Sequence, residues 1–257
     1  MVNRLGAAAQ LERIFHTSHT HGWNGPDVVR QAVAARDNSL SDVLRRALAV
    51  FAADLSEVEC ATWTTCMRLA LTTDNLEAKL AATAQAADEA NHFRAVQTYL
   101  ESLRMPECLP DSGLVEILAH VQEAPLDEVL AIMQLTVENA ADHLFRQIGI
   151  ASADVVLSKL FSYISRDEHR HVAFAEIYLN TILPSPDDES LSHFAARWGD
   201  AVKATLAWLE RRREDFAPLG IDLDQVRQEL IEDLAELGEL SATMRALVPA
   251  VLARLEI

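Results

Sequence analysis

Two Glu-x-x-His triplets occur in the chain, Glu89-Ala-Asn-His92 and Glu168-His-Arg-His171. Residues three apart on a helix share a face, so each triplet aims one carboxylate and one imidazole at a single point, a donor pair suited to a divalent metal ion. Their placement strengthens the reading. Glu59 precedes Glu89 by 30 residues and Glu138 precedes Glu168 by 30, so one shift of 79 carries Glu59, Glu89 and His92 onto Glu138, Glu168 and His171. The same shift carries Asp88 onto Asp167 and Tyr99-Leu100 onto Tyr178-Leu179. A gapless offset shared by so many polar residues marks two helical hairpins related by pseudo-symmetry.

Glu59 lies in the uncharged stripe Leu55, Glu59, Thr62, Cys66, and Glu138 in the stripe Gln134, Glu138, Ala141, Phe145. Both therefore head inward, while Glu57, two residues from Glu59, points to solvent. Unpaired buried carboxylates are costly, and neither stripe carries a Lys or Arg to compensate them. Two divalent cations would. Four carboxylates and two imidazoles form a mixed oxygen and nitrogen set that suits Fe(II) or Mn(II) rather than a thiolate-preferring ion.

The elements that must position these residues are long helices. Gly and Pro number eight each in 257 residues, too few for the turns of barrels and sandwiches. Residues 1–25 show no sustained periodicity and read as an irregular arm, followed by a short helix from Pro26 to about residue 35. Apolar residues recurring at three and four predict a helix over 41–71, and Asp74 with Glu77 reads as the reciprocal cap of a second over 76–103. A shorter helix covers 113–122. Pro125 opens a third long helix to about 148, and Ser152 caps a fourth that runs to 183, with further helices over 187–216, 223–237 and 241–255. The expectation is one all-α domain over 1–257: an arm and short helix (1–40), a four-helix bundle (41–183) and covering helices (184–257).

At these residues the chain resembles the ferritin-like di-metal carboxylate proteins, in particular the oxygen-activating branch of monooxygenases, acyl-carrier-protein desaturases, aldehyde-deformylating oxygenases and ribonucleotide reductase small subunits. Their motif is Asp-Glu-x-Arg-His. Asp167-Glu168-His169-Arg170-His171 matches it, and Asp88-Glu89-Ala90-Asn91-His92 matches except at Asn91. The resemblance implies that Glu59, Glu89 and His92 hold one metal and Glu138, Glu168 and His171 the other, with Glu89 and Glu168 as bridges. It makes Asp88 and Asp167 acceptors for the ligating imidazoles, with Arg170 beside them. The implied cofactor is two iron ions, with manganese or a mixed Mn/Fe pair as variants. Val96 stands where reductase subunits carry a radical tyrosine, and Ile164 where p-aminobenzoate N-oxygenases carry an extra histidine, which argues against both chemistries.

The function so implied is an O2-dependent oxidoreductase that hydroxylates, desaturates or cleaves a small, largely apolar substrate, fed by an electron donor such as a ferredoxin. The alternative is a ferritin-like protein that handles iron or peroxide without oxygenase activity. Asp142, one turn after Glu138, is the candidate catalytic proton donor, with a solvated or salt-bridged role as its competitor. Trp63 and Gln134 would line the pocket, Thr62 would bond back to the Val58 carbonyl, Tyr99 and Tyr178 would pack, and His120, His169 and His193 receive no role. Thirty-nine acidic against 22 basic residues give a formal charge of −17, which opposes binding to nucleic acid and anionic membranes. Arg211-Arg212-Arg213 is the one dense basic cluster. Cys60, Cys66 and Cys108 read as reduced, buried thiols. The expected setting is the cytoplasm, with a homodimer as the oligomeric state.

Overall fold

The computed structural model describes residues 4–36, 40–151, 154–183 and 188–255, and all regular structure among them is helical. Helix α1 spans Arg4–Thr20, α2 Gly25–Ala34, α3 Asp42–Thr72, α4 Leu76–Leu103 and α5 Ser112–Glu123. A continuous helical segment over 126–151 follows, made of α6 (Leu126–Val129), a π-helical stretch Leu130–Glu138 and α7 (Asn139–Ala151). Helix α8 is Val155–Ile182, and α9 (Asp188–Arg211), α10 (Arg213–Phe216), α11 (Leu223–Glu236) and α12 (Ala242–Ala253) complete the chain.

Helices α3, α4 and α8 and the 126–151 segment form the central bundle. At 1.5 Å per residue the 28-residue α4 and α8 are each about 42 Å long. Helix α3 packs on α4, α4 packs on α8, and α7 with the π stretch also packs on α8. Helix α3 starts at Ser41, which caps Leu44 N at 3.2 Å. The cap of α4 is Asn75, whose side chain accepts from Ala78 N at 2.7 Å, rather than the expected Asp74: one residue later, its oxygen reaches the third helical N–H. Helix α8 is capped by Asp154, which accepts from Val156 N at 3.1 Å; the expected cap, Ser152, lies outside the described residues.

The N-terminal segment departs from its expectation. Residues 4–20 are helical, and α1 packs on α4 and α8. It buries Ala7, Leu11 and Ser18, small or widely spaced residues that make too narrow a stripe for periodicity to show. The covering helices grip the π stretch and α7. Trp198 of α9 donates to Thr136 Oγ1 at 2.9 Å, and Glu229 and Asp233 of α11 meet the buried His143 at 2.8 and 2.9 Å. Each residue of the basic cluster is paired within the chain: Arg211 with Asp111, Arg212 with the buried Asp54, and Arg213 with Glu210 and Asp224. It offers no free basic face for an acidic carrier. Of the cysteines only Cys66 is buried; Cys60 and Cys108 are half-exposed. No helix among the described residues is long and apolar enough to cross a membrane.

Candidate metal centre

All six residues of the repeat converge inside the bundle, none more than 4 % exposed. Glu59 comes from α3, Glu89 and His92 from α4, Glu138 from the last residue of the π stretch, and Glu168 and His171 from α8. The π stretch has one side-chain signature, Thr136 Oγ1 donating to the Ala131 carbonyl five residues back at 3.0 Å. Such wide turns cluster at functional sites, and this one ends on Glu138.

Two overlapping donor groups result. Glu59, Glu89, His92 and Glu168 bring one ligand-type atom each within 4.8 Å of one another, and so do Glu89, Glu138, Glu168 and His171. Glu89 and Glu168 belong to both. His92 Nδ1 lies 3.4 Å from Glu59, 3.4 Å from Glu89 and 3.2 Å from Glu168; His171 Nδ1 lies 2.7 Å from Glu89, 3.0 Å from Glu168 and 3.9 Å from Glu138. Both rings thus turn Nδ1 inward to the carboxylates and Nε2 outward.

The outward nitrogens meet the two aspartates crosswise. His92 Nε2 lies 3.2 Å from Asp167, and His171 Nε2 3.5 Å from Asp88, so each half of the repeat orients the imidazole of the other. Arg170 spans both aspartates, 3.1 Å from Asp88 and 2.9 Å from Asp167. The N-terminal segment completes this shell: Ser18 Oγ donates to Asp88 at 2.7 Å and Trp23 Nε1 to Asp167 at 2.7 Å. Nothing in the periodicity of residues 1–25 pointed to Ser18 or Trp23.

Asn91 explains the one departure between the motifs. Where the second motif has Arg170, Asn91 accepts the backbone N–H of Gly25 at 2.8 Å and seats α2 against α4. A Cβ on Gly25 would lie 2.5 Å from Ala95 Cβ and 2.8 Å from the Asn91 carbonyl oxygen. Gly25→Ala should therefore cost about 1–3 kcal/mol, read as a lower denaturation midpoint with faster proteolysis near Trp23. An unchanged midpoint would mean that α2 is not held this closely.

Charge in the cluster is balanced through protons. Burial pushes the Glu59 and Glu138 carboxyls well above the carboxylate range; His92 partly offsets this at Glu59, whereas neighbouring carboxylates reinforce it at Glu138. Burial acts on Glu89 in the same sense, but His171 and His92 together outweigh it and hold that carboxyl low. Burial would lower both imidazoles. Glu59 and Asp167 at His92, and Glu89 and Glu168 at His171, overcome it and raise them. Two neutral carboxyls and two imidazolium ions then carry the positive compensation that divalent cations would otherwise supply.

The residues fit such cations. Both oxygens of Glu138, Oε1 of Glu89 and Nδ1 of His92 are buried without a geometrically formed hydrogen bond, and the ion-pair contacts they do make are to other members of the six-residue donor set. Orphaned inward-facing oxygens and imidazole nitrogens held by aspartates are the design of a metal shell.

The remaining expected positions are placed as follows. Asp142 is 7 % exposed, accepts from Ser165 Oγ, and pairs with Arg146 Nε at 3.3 Å. With Glu168, Arg146, His169 and Asp233 it lines a cavity of about 310 Å³. Thr62 donates to the Val58 carbonyl at 2.9 Å and Glu57 is exposed, both as expected. Trp63 is half-buried against Phe93, while Gln134 is buried beside Cys66. Tyr99 donates to Asp154 at 2.8 Å and Tyr178 pairs with Thr73, so both are packing residues. His120, His169 and His193 are exposed.

The class these features define is the ferritin-like helical fold with a buried carboxylate–histidine cluster at its centre. Solved structures share the fold. The chain is similar to an R2-like ligand-binding oxidase with an aerobically reconstituted Mn/Fe cofactor, with 17 % identity over 91 % of this chain and 93 % of that one and a TM-score of 0.66. It is similar also to a protein described as a class I ribonucleotide reductase from Bacillus halodurans, with 13 % identity over 95 % and 99 % of the two chains and a TM-score of 0.70. No family profile and no curated protein matches the chain.

Proposed function

We propose that the chain is a di-metal oxidoreductase that uses O2 to oxidise a small organic substrate, with two iron ions or a Mn/Fe pair as cofactor and a ferredoxin-type protein as electron donor. The observation that carries this is the sharing of Glu89 and Glu168 by two donor groups. In this reading Glu59, Glu89 and His92 would hold one ion and Glu138, Glu168 and His171 the other, with Glu89 and Glu168 within reach of both. Bound metals supply the redox chemistry. The chain would fix their geometry: Asp167 and Asp88 face the Nε2 of His92 and His171, which leaves Nδ1 turned to the carboxylates, and Arg170 pairs with both aspartates. The six side chains are nearly inaccessible to solvent. The Mn/Fe cofactor of the similar R2-like oxidase supports a mixed pair as an alternative to two irons.

Asp142 is the proton-handling residue in this reading. It lines the same cavity as Glu168 and is held there by Arg146 Nε at 3.3 Å and by Ser165 Oγ, a position from which a carboxyl group could donate a proton beside the metals. Asp142→Ala should keep both metals and the fold but slow single-turnover oxidation by about 10²-fold. Unchanged kinetics would place it outside the mechanism, and loss of a metal would make it a ligand. The reading extends to a cytoplasmic homodimer, which sedimentation checks.

The overall test loads purified protein with Fe(II) and follows O2. About two ions per chain and O2 consumption that depends on added substrate support the proposal. A protein that takes up no iron or manganese refutes it, and substrate-independent turnover of peroxide or mineralisation of iron makes it an iron-handling protein instead.

A further inference from the structure

One helical turn from the metal cluster, the bundle interior carries two carboxamides with little to bind. Helices α3 and α4 are antiparallel, and Glu59 faces His92 at 3.4 Å, so Cys66, seven residues on, lies level with Gln85, seven residues back. In the other hairpin Glu138 faces His171, which sets Gln134, four residues back, level with Ala175, four residues on. Gln134 Nε2 lies 4.0 Å from Cys66 Sγ and closes the layer across the two hairpins. The four residues, one from each long helix, are at most 2 % exposed. Both polar atoms of the Gln85 carboxamide and Oε1 of Gln134 have no hydrogen-bond partner, and Thr65 Oγ1 beside Cys66 has none either.

A buried carboxamide without partners destabilises the fold, and either position would be better filled by an apolar side chain if stability alone were at stake. Two of them on the same level, next to the small side chains of Cys66 and Ala175, have the form of a binding layer. Toward the same end of the bundle lies a cavity of about 400 Å³ whose lining includes Thr72, Thr73, Asp74, Leu126 and Tyr178, hydroxyl and apolar groups with one carboxylate among them. The layer contains no cationic or anionic side chain, and a carboxamide both donates and accepts.

We infer that Gln85 and Gln134 recognise an uncharged hydrogen-bonding group, a hydroxyl or a carboxamide, on the small molecule that is presented to the metal cluster. The inference rests on the proposed metal-dependent function and narrows its substrate: the molecule is apolar along its length and carries one neutral polar end that enters this layer. Gln85 and Gln134 are positioning residues; they hold one end of the molecule and so set which of its atoms lies beside the metals.

The test uses metal-loaded protein, with metal content measured on every sample, and compares wild type with Gln85→Met and Gln134→Met, which keep side-chain length without hydrogen bonding. The probes are acetamide, 1-propanol and propylammonium, followed by calorimetry and thermal shift. Acetamide or 1-propanol should bind wild type and bind either variant at least about tenfold more weakly, the loss expected when a hydrogen bond to the ligand is removed. Propylammonium should show no Gln-dependent binding. Each variant should melt about 2–4 °C higher than wild type, because an orphaned buried amide is gone. Variants that melt lower and bind the neutral probes unchanged would overturn the inference, since the amides would then be satisfied by water or by Glu138. Equal, Gln-dependent binding of propylammonium would overturn the assignment to an uncharged group. Two metals per chain without Gln-dependent probe binding sinks this layer alone, whereas probe discrimination in a chain that holds no metal sinks the metal reading alone. If a Met variant fails to fold, the preference of wild type for 1-propanol over propylammonium still decides.

Discussion

Glu89→Ala or Glu168→Ala should abolish loading of both metals, whereas Glu59→Ala or Glu138→Ala should lower the content from about two ions per chain to about one. The difference follows from geometry. Glu89 and Glu168 contribute to both donor groups, while Glu59 and Glu138 contribute to one each. Removing a bridge takes an anionic oxygen from both ions and leaves the second ion with fewer ligands and more repulsion. Metal analysis by mass spectrometry after iron supplementation reads the result directly. Equal losses from all four variants would mean that the ions are not bridged as the two groups imply. The metal-free forms supply a control on folding. Both Glu138 oxygens are buried without a hydrogen-bond partner, so Glu138→Gln, which removes the ionisable group at nearly constant volume, should leave the metal-free protein at least as stable as wild type. A Glu138→Gln protein that loses stability as well as metal would show that the carboxylate serves the fold rather than an ion.

The six members of this cluster were legible in the sequence because their spacing places them on facing sides of antiparallel helices. Three residues place Glu and His on one face, and a 30-residue return brings the antiparallel helix back to the same depth. The offset of 79 then separates the pair of hairpins from chance. The spans of α3, α4, α11 and α12 were readable to within a residue or two because each has a cap residue and an apolar stripe, whereas the helix expected over 187–216 is broken at Arg212 into α9 and α10. Other features leave no local mark. The π stretch uses the same residue types as an α-helix, and its contact with Trp198, made through Thr136, lies 62 residues away in the chain. The crosswise pairing of Asp88 with His171 and Asp167 with His92 depends on how two symmetric hairpins interlock, which an internal repeat cannot state. Helix α1 hid because it buries little. Gln85 lay on the same face of α4 as Glu89 and His92, yet a glutamine in an alanine-rich helix looks like a surface residue until its burial is seen.

Stripping the metals should lower thermal stability by roughly 15 °C or more, and the gap between loaded and metal-free protein should widen as pH rises from about 5 to 8. Its size follows from linkage: an ion present at about a thousand times its Kd stabilises the state that binds it by about 4 kcal/mol per site, and each kcal/mol moves the melting point of a domain this size by about 2–4 °C. Its pH dependence follows from the protons the cluster holds. In the metal-free protein the Glu59 and Glu138 carboxyls and the His92 and His171 imidazoles all titrate above their ordinary values of 4.5 and 6.5. The folded chain therefore binds more protons than the unfolded chain between those values and the raised ones. That contribution to stability is complete below the unfolded values and is lost as pH climbs through the folded ones. Metal binding runs the other way, because the ions displace these protons and loading becomes easier as pH rises. Glu89, Asp88 and Asp167, held low against burial chiefly by the imidazoles, act below the ordinary carboxylate range and do not offset the trend above pH 5. Melting curves of chelated and iron-loaded protein at pH 5, 6, 7 and 8 check both parts. A gap that stays constant with pH would mean that the ions do not displace protons from these four residues, and no gap at all would remove the metals from the cluster.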